Sequence, residues 1–291
     1  MGTDLFLMAG QALSVVTLGP LAFSASVIAL LAGAITAFLV GGWFQRRGRV
    51  SVEPTLWWLL ALTLLVARAG FVLRWWPDYL AHPLDLVNVR DGGFLLLPAV
   101  LALAVATGLA AWRRGPLRAP LAWSVGAGVL VWGFASVVAL RLETSTEAPL
   151  PTLVLRDLDG HLVNLHDLRG RPLVINLWAT WCGPCRRELP VLAQAQQRMS
   201  GVRFVFANQG ESAVVVRTFL DARKLRLDHV LLDDSMQLSQ HYNARAYPTT
   251  LFLDAQGHLR DTHMGELSAA TLAESLSHVI ATGPPESGDT H

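Results

Sequence analysis

RPLVINLWATWCGPCRREL, residues 171–189, is the stretch that decides the fold of the second half of this 291-residue chain. Leu173 to Trp178 form a near-continuous apolar run, as a strand does when both of its faces are covered. From Pro184 the spacing turns helical, through Leu189, Leu192, Ala193 and Met199. The junction holds Cys182 and Cys185, and the chain has no other cysteine. Two sulfurs at the start of a helix sit beside unpaired backbone N–H groups and the positive end of the helix dipole, where an anion is favoured.

Three chemistries compete for such a pair. Zinc needs two further ligands, and the only suitable pair, His258 and His263, lies far beyond the roughly 12–15 residues that separate ligand pairs in a finger. A purely structural disulfide would close so small a loop that it would restrict the unfolded chain little. Redox exchange uses what the surroundings offer. Cys182, after Trp181, is a low-pKa thiolate that attacks a disulfide, and Cys185, one turn into the helix, resolves the mixed disulfide. In the Gly183-Pro184 dipeptide between them, the proline suits a first helical turn because its missing N–H removes no helix bond. No metal and no cofactor are expected.

Working outward, TLVLRDLDGHLVNL (152–165) reads as two short strands around a turn at Asp157–Gly160. VRFVFAN (202–208) is a second buried strand, and SAVVVRTFLDARKL (212–225) is a helix. DHVLLD and a short helix, SMQLSQHYN, follow. TTLFLDAQGHLRDTHMG (249–265) reads as a hairpin turning at Asp254–Gly257. SAATLAESLSHVIA (268–281) closes the domain as a helix with Ser268 at its N-cap and Thr271 and Leu272 inside. Residues 150–281 are therefore expected to be an α/β domain with a mixed central sheet, and the tail 282–291 to be disordered.

The first half has a different composition. Mean hydropathy is +0.40 with only 15% charged residues, outside the usual range for a soluble enzyme of this length. Most of the tryptophans and the longest uncharged stretches precede residue 150. Four spans are expected, at about 18–44, 55–76, 92–112 and 121–141, each near the roughly 20 residues that cross hydrocarbon. Residues 5–17 are cut off by Gly19-Pro20 and read as an interfacial segment, a fifth span being the alternative. MGTDLFLMAG has no Lys or Arg ahead of its apolar residues, so it lacks the charged start of a signal peptide.

Clustered arginines in RRGR (46–49) and RRGPLR (113–118), against a mainly acidic loop at 77–91, place the two arginine loops in the cytoplasm. Everything after Arg141 is then extracytoplasmic, joined through a polar linker at 143–149, with residues 1–142 as the membrane domain. The expected location is a bacterial inner membrane, crossed several times, with the second domain in the periplasm. A net charge of +1 and no basic run longer than two arginines argue against nucleic acid as a partner.

With DLDGHLVNLHDLRGRP, LVINLWATWCGPCRRELP and AYPTTLFLDAQGHLR in that order, residues 148–281 resemble the thioredoxin superfamily, and within it the TlpA/ResA-like branch of membrane-anchored thiol-disulfide oxidoreductases. The resemblance implies that Tyr247-Pro248 is a cis pair facing the dithiol; a trans strand-entry proline is the alternative. It also implies that Asn176 replaces a buried aspartate that accepts a proton in many thioredoxins, a task an amide cannot perform. Glu188 follows Cys185 by three residues, and in that branch a glutamate there is associated with tuning the thiols. The competing reading is a solvated carboxylate in a first helical turn, where a negative charge is favourable.

Residues 17–100 resemble another family, the prolipoprotein diacylglyceryl transferases. The resemblance rests on TLGPLAFSASVIALLAGAITAFLVGGW and on Ala67, Arg68, Gly70, Val72, Tyr79, His82, Pro83, Leu84, Gly92 and Gly93. Leu97 stands where that family carries a histidine, and no room remains for its later spans, so the half reads as a truncated, degenerate relative without transferase activity. Arg68, about 13 residues into its span, is expected to hold a lipid phosphate, to pair with an acid such as Asp78, or to snorkel.

Three functions follow. One is a membrane-tethered periplasmic reductase of protein disulfides, for which the resemblance to the TlpA/ResA-like branch implies substrates such as apocytochrome c, a copper-site assembly protein or another oxidoreductase. A second is a disulfide oxidant or isomerase, and a third a lipid- or lipoprotein-binding scaffold. The membrane half has no cysteine and cannot relay electrons by thiol exchange, so a reductase needs a separate membrane electron donor.

Overall fold

The computed structural model describes residues 15–18, 21–48, 50–81, 86, 91–143 and 149–281. The expected disordered tail, the linker residues 144–148 and most of the segment 5–17 lie outside them. The chain divides into two compact units, one of Met1–Trp76 with Gly93–Thr146, the other of Pro77–Gly92 with Glu147–His291.

The first unit corrects the sequence reading at its start. β1 (Val15–Leu18) pairs antiparallel with β2 (Leu21–Ser24), and the first long helix, α1, begins only at Ala25 and ends at Arg46. A span beginning at 18 would have to run a helix through Gly19-Pro20. Proline lacks the N–H a helix needs and disfavours helical backbone in the residue before it.

α2 (Glu53–Arg74) starts well for a helix, with a proline in its first turn, an acid at its positive end and Arg74 at its negative end. After the short α3 (Trp76–Ala81) come α4 (Leu96–Arg113) and α5 (Arg118–Glu143). Among the described residues, four helices are long and apolar enough to cross a membrane. Their outward faces carry side chains a water-soluble protein would cover, among them Trp58, Leu97, Leu130 and Phe134, each more than 70% exposed.

α1 packs chiefly on α5, and α2 on α4. The first contact is close because α1 presents small residues at intervals of four: Gly33, Ala37 and Gly41. A Cβ on Gly128 of α5 would lie 2.7 Å from the Gly33 carbonyl oxygen and 3.0 Å from the Ala37 Cβ, and one on Gly33 would lie 2.8 Å from the Gly128 carbonyl. Gly128→Leu is therefore expected to force the pair apart and destabilise the helical unit by roughly 1–3 kcal/mol. Unfolding of the full chain in mixed detergent–SDS micelles measures it, and an unchanged midpoint contradicts the close crossing.

The second unit is built on a seven-stranded mixed sheet in the order β4-β3-β7-β6-β5-β8-β9. β3 (Val154–Asp157) and β4 (Leu162–Asn164) form the first hairpin. β5 (Leu173–Trp178) is followed by α6 (Gly183–Arg198), β6 (Arg203–Gln209), α7 (Ala213–Arg223) and β7 (Val230–Asp233). After α8 (Gln237–His241), β8 (Thr249–Leu253) and β9 (Leu259–Met264) form the second hairpin, and α9 (Ala269–Ala281) closes the chain. β5 runs parallel to β6 and antiparallel to β8, and all six of its residues are buried.

Strand alternation sorts β5 between two cores. Leu173, Ile175 and Leu177 join one with Leu165, Leu231 and Leu251. Val174 and Trp178 join the other with Leu189 and Leu192 of α6 and Leu272 and Leu276 of α9. Asn176 lies between Val174 and Trp178 and so shares their face, the one that α6 covers. α9 is capped as the sequence indicates: the Thr271 N–H donates to Ser268 Oγ at 3.2 Å, and the Ser268 N–H donates to Thr271 Oγ1 at 2.9 Å.

Candidate active site

β5 ends at Trp178, and residues 179–181 carry the chain to the N-terminus of α6. The Cys182 N–H donates back to the Ala179 carbonyl at 3.2 Å. Cys182 is itself the N-cap of α6: its Sγ accepts the N–H of Cys185 at 3.2 Å. Cys182 and Cys185 are joined in a disulfide, and both are buried. Beside them Trp181 stands out of the surface at 66% exposure. The cap contact puts the first sulfur where backbone N–H groups converge, a position that stabilises a thiolate once the bond is opened.

The register of β5 against β8 brings the second element of the site. Leu177 pairs with Thr249, so residues 247 and 248 stand across from the end of β5 that feeds the cysteines. The Tyr247–Pro248 peptide bond is cis. The Tyr247 ring meets Trp181 edge-on, with centroids 6.0 Å apart. Its hydroxyl is hydrogen-bonded with Ser239 Oγ at 2.9 Å, and Ser239 donates on to Gln209 Oε1 at 2.7 Å. Gln209 in turn donates to Asp233, whose carboxylate takes the N–H groups of Gln237 and Leu238 at the start of α8. Tyr247 is therefore fixed from behind by a buried polar chain and from the side by an aromatic contact.

Beneath the dithiol, Glu188 is fully buried, which rules out the reading of a solvated first-turn charge. Its position three residues after Cys185 turns it onto the covered side of α6. Oε1 accepts from Asn176 Nδ2 at 2.7 Å, and Oε2 accepts the N–H of Leu267 at 3.0 Å. Asn176 also donates to Thr250 Oγ1 at 2.9 Å. Burial pushes the Glu188 carboxyl up to about 8, against the pull of its two donors, and the nearby charge of Glu266 adds to the rise.

The site also contains residues that sequence reasoning did not single out. Glu211 takes both the N–H of Thr180, at 2.7 Å, and its hydroxyl, at 2.5 Å, together with Asn208 Nδ2 at 2.7 Å. It thus anchors the loop that precedes Cys182. Arg187 and Glu266 form an ion pair. A polar residue in the loop after a buried strand, as in ANQGES, is the one hint of Glu211 that the sequence offers.

Residues 145–276 match the Redoxin family. The thioredoxin-like protein YneN of Bacillus subtilis is 32% identical over 130 residues, which cover 43% of this chain and 75% of that protein. The thiol-disulfide oxidoreductase ResA of the same organism is 31% identical over 147 residues, or 50% of this chain and 79% of ResA. The chain belongs to the ResA-like family of thiol-disulfide oxidoreductases. Among solved structures, StoA from Bacillus subtilis aligns at 25% identity over 43% of this chain and 98% of that one, with a TM-score of 0.38.

In this ResA-like oxidoreductase the second unit has the thioredoxin fold, and the structure gathers Trp181, Cys182, Gly183, Pro184, Cys185, Asn176, Glu188, Tyr247 and Pro248 into one region. Of the other sequence-singled residues, His258 and Arg68 lie apart from it, and His263 borders it. His258 Nδ1 sits 3.3 Å from Asp254 Oδ2 at the turn of the second hairpin. His263 lies in β9 opposite Thr250. Arg68 belongs to the first unit, where its Nη1 donates to the Gly93 carbonyl at 3.0 Å. The side chain of Asp78, its suggested partner, lies outside the described residues.

Proposed function

We propose that this ResA-like chain is a membrane-tethered, extracytoplasmic reductase of protein disulfides. Cys182 attacks and Cys185 resolves. The Cys182 thiolate opens a substrate disulfide, forming a mixed disulfide and releasing one substrate thiolate. The Cys185 thiolate then attacks Cys182 Sγ, which releases the second substrate thiolate and leaves the Cys182–Cys185 disulfide. The substrate has gained two electrons and the chain has lost them.

The observation that carries the reading is the buried Glu188 beside the pair. A carboxyl near 8 titrates in the range of an ordinary thiol, about 8.5, so it can accept the proton of Cys185 and return it without a large energetic gap. Asn176 holds that carboxyl and takes no proton. Trp181 and Tyr247-Pro248 form the lip against which a substrate segment lies, and Gly183-Pro184 lets α6 begin between the cysteines.

The four apolar helices and the arginine-rich loops support a multi-pass anchor with the second unit outside, held through residues 143–149, in a bacterial inner membrane. The transferase-like residues support a degenerate relative that serves as anchor in contact with membrane lipid. Arg68 and Gly93, two of those residues, are in contact, and a Cβ on Gly93 would lie 2.7 Å from the Arg68 guanidinium. Reduction of the Cys182–Cys185 disulfide back to the dithiol falls to a separate membrane electron donor. Cytochrome c maturation, an association of ResA, supplies a substrate class of the right kind.

Cys185→Ser tests the reading. With no resolving thiol, the full chain is expected to accumulate adducts that dithiothreitol releases and that hold extracytoplasmic proteins with disulfides. Absence of any adduct, with the variant folded and reduced, contradicts it.

A further inference from the structure

The turn between β9 and α9 touches three parts of the site at once. Gly265, at φ +103°, donates its N–H to the carbonyl of Pro248 at 2.9 Å. Leu267, buried, donates its N–H to Glu188 Oε2. Between them Glu266, whose side chain is 13% exposed, accepts Arg187 Nε at 2.8 Å and Nη2 at 2.7 Å on one oxygen, Oε2. Two consecutive residues of α6 therefore hold the same turn through their side chains: the Glu188 carboxylate accepts the Leu267 N–H, and the Arg187 guanidinium donates to the Glu266 carboxylate.

Resting on the reading of Glu188 as the proton partner of the dithiol, we propose that Arg187 and Glu266 are a positioning pair. The pair holds the Gly265–Leu267 turn against α6, so that Glu188 keeps its backbone donor and faces a neutralised Glu266 in place of a bare one.

The energetics favour placement of charge over stability as the role. Arg187 is half exposed, and an ion pair in contact with water contributes little to folding. Its effect on a neighbouring buried carboxyl is larger, because low dielectric around that carboxyl leaves nearby charges poorly screened. Around Glu188 among the described residues, α6 supplies Cys185 one turn before it and Arg187 next to it in the chain, β5 supplies Asn176, and β8 supplies Thr250 behind Asn176. The turn supplies the Leu267 N–H and Glu266, and β9 places His263 opposite Thr250. Glu266 is the anion among them, and its charge opposes ionisation of Glu188.

The two halves of the pair then have opposite effects. Without Arg187, the bare Glu266 opposes ionisation more strongly and the titration of Glu188 moves up. Without the Glu266 charge, the opposition disappears and the titration moves down. A pair that served shape alone would free the Leu267 amide when either half was lost, and both changes would move the titration up.

The test is an infrared pH titration of the oxidised full chain in detergent, where the cysteines are in the disulfide and do not titrate. The protonated carboxyl stretch of Glu188 is identified by its loss in Glu188→Gln. The wild-type midpoint is expected at about 8. Arg187→Gln is expected to raise it and Glu266→Gln to lower it, each by about half a pH unit, a ~3-fold change in proton affinity. Arg187→Lys, which keeps the charge, is expected to stay near wild type. Midpoints that rise together, or that do not move, overturn the pair while leaving the role of Glu188 intact. A spectrum that loses no such band in Glu188→Gln, or a band that titrates in the ordinary carboxylate range, overturns both.

Discussion

Cys182→Ser is expected to lower disulfide reduction by at least about a thousandfold, because the hydroxyl that replaces the thiol cannot act as the exchanging nucleophile. The chain has only two cysteines, so no other sulfur can substitute. The loss should appear in turnover of insulin by the full chain with dithiothreitol as reductant. Folding should be nearly unaffected: the serine Oγ at the N-cap of α6 accepts the Cys185 N–H in place of Sγ, and serine is among the preferred N-cap residues. Retained turnover with an intact fold would remove Cys182 from the chemistry. Cys185→Ser differs in kind, since it keeps the attacking sulfur and stops after one covalent step.

Glu188→Gln is expected to have the second largest effect, and pH is where it shows. The buried carboxyl titrates at about 8 in the folded oxidised chain against 4.5 when unfolded. Between those values the folded state holds a proton that the unfolded state has released, so raising pH favours unfolding. The stability conferred by the neutral carboxyl is fully present below pH 4.5 and is lost as pH rises through about 8. The slope for one such group approaches about 1.4 kcal/mol per pH unit. Urea unfolding of the second unit in the solubilised oxidised chain should show stability falling from pH ~5 to pH ~8 in wild type and a flatter profile in Glu188→Gln. In the reduced chain the same variant should remove the carboxyl inflection from the pH profile of thiol alkylation. Matching profiles in both assays would return Glu188 to a structural role.

What is legible in the sequence is what local pattern sets. The apolar run at 173–178, the change to helical spacing at Pro184 and the turn at Asp254–Gly257 each concern neighbours in the chain, and each appears in the fold where it was read. The site is legible as far as two cysteines at a strand–helix junction. What was not legible depends on residues brought together from afar. Spacing alone leaves Glu188 on the cysteine side of its helix but does not say what covers it. The cover comes from Asn176 on one side and Leu267 on the other. Glu211 reaches Thr180 and Arg187 reaches Glu266 by the same kind of long-range closure. The hairpin of β1 and β2 was missed for a different reason. Apolar residues without charge satisfy the composition of a span whether or not they are helical, and residues 15–18 and 21–24 are strands.

The central claim is that a reducing dithiol faces away from the cytoplasm on a tether. Labelling of cells that express the full chain, with a membrane-impermeant maleimide added before lysis, tests it most directly. Most of the chain is expected to take two labels from outside, on Cys182 and Cys185, and labelling is expected to disappear when the electron donor is blocked by oxidation. A chain that takes label only after lysis would contradict the orientation, and one that takes label only after treatment with a reductant would contradict the reductive direction.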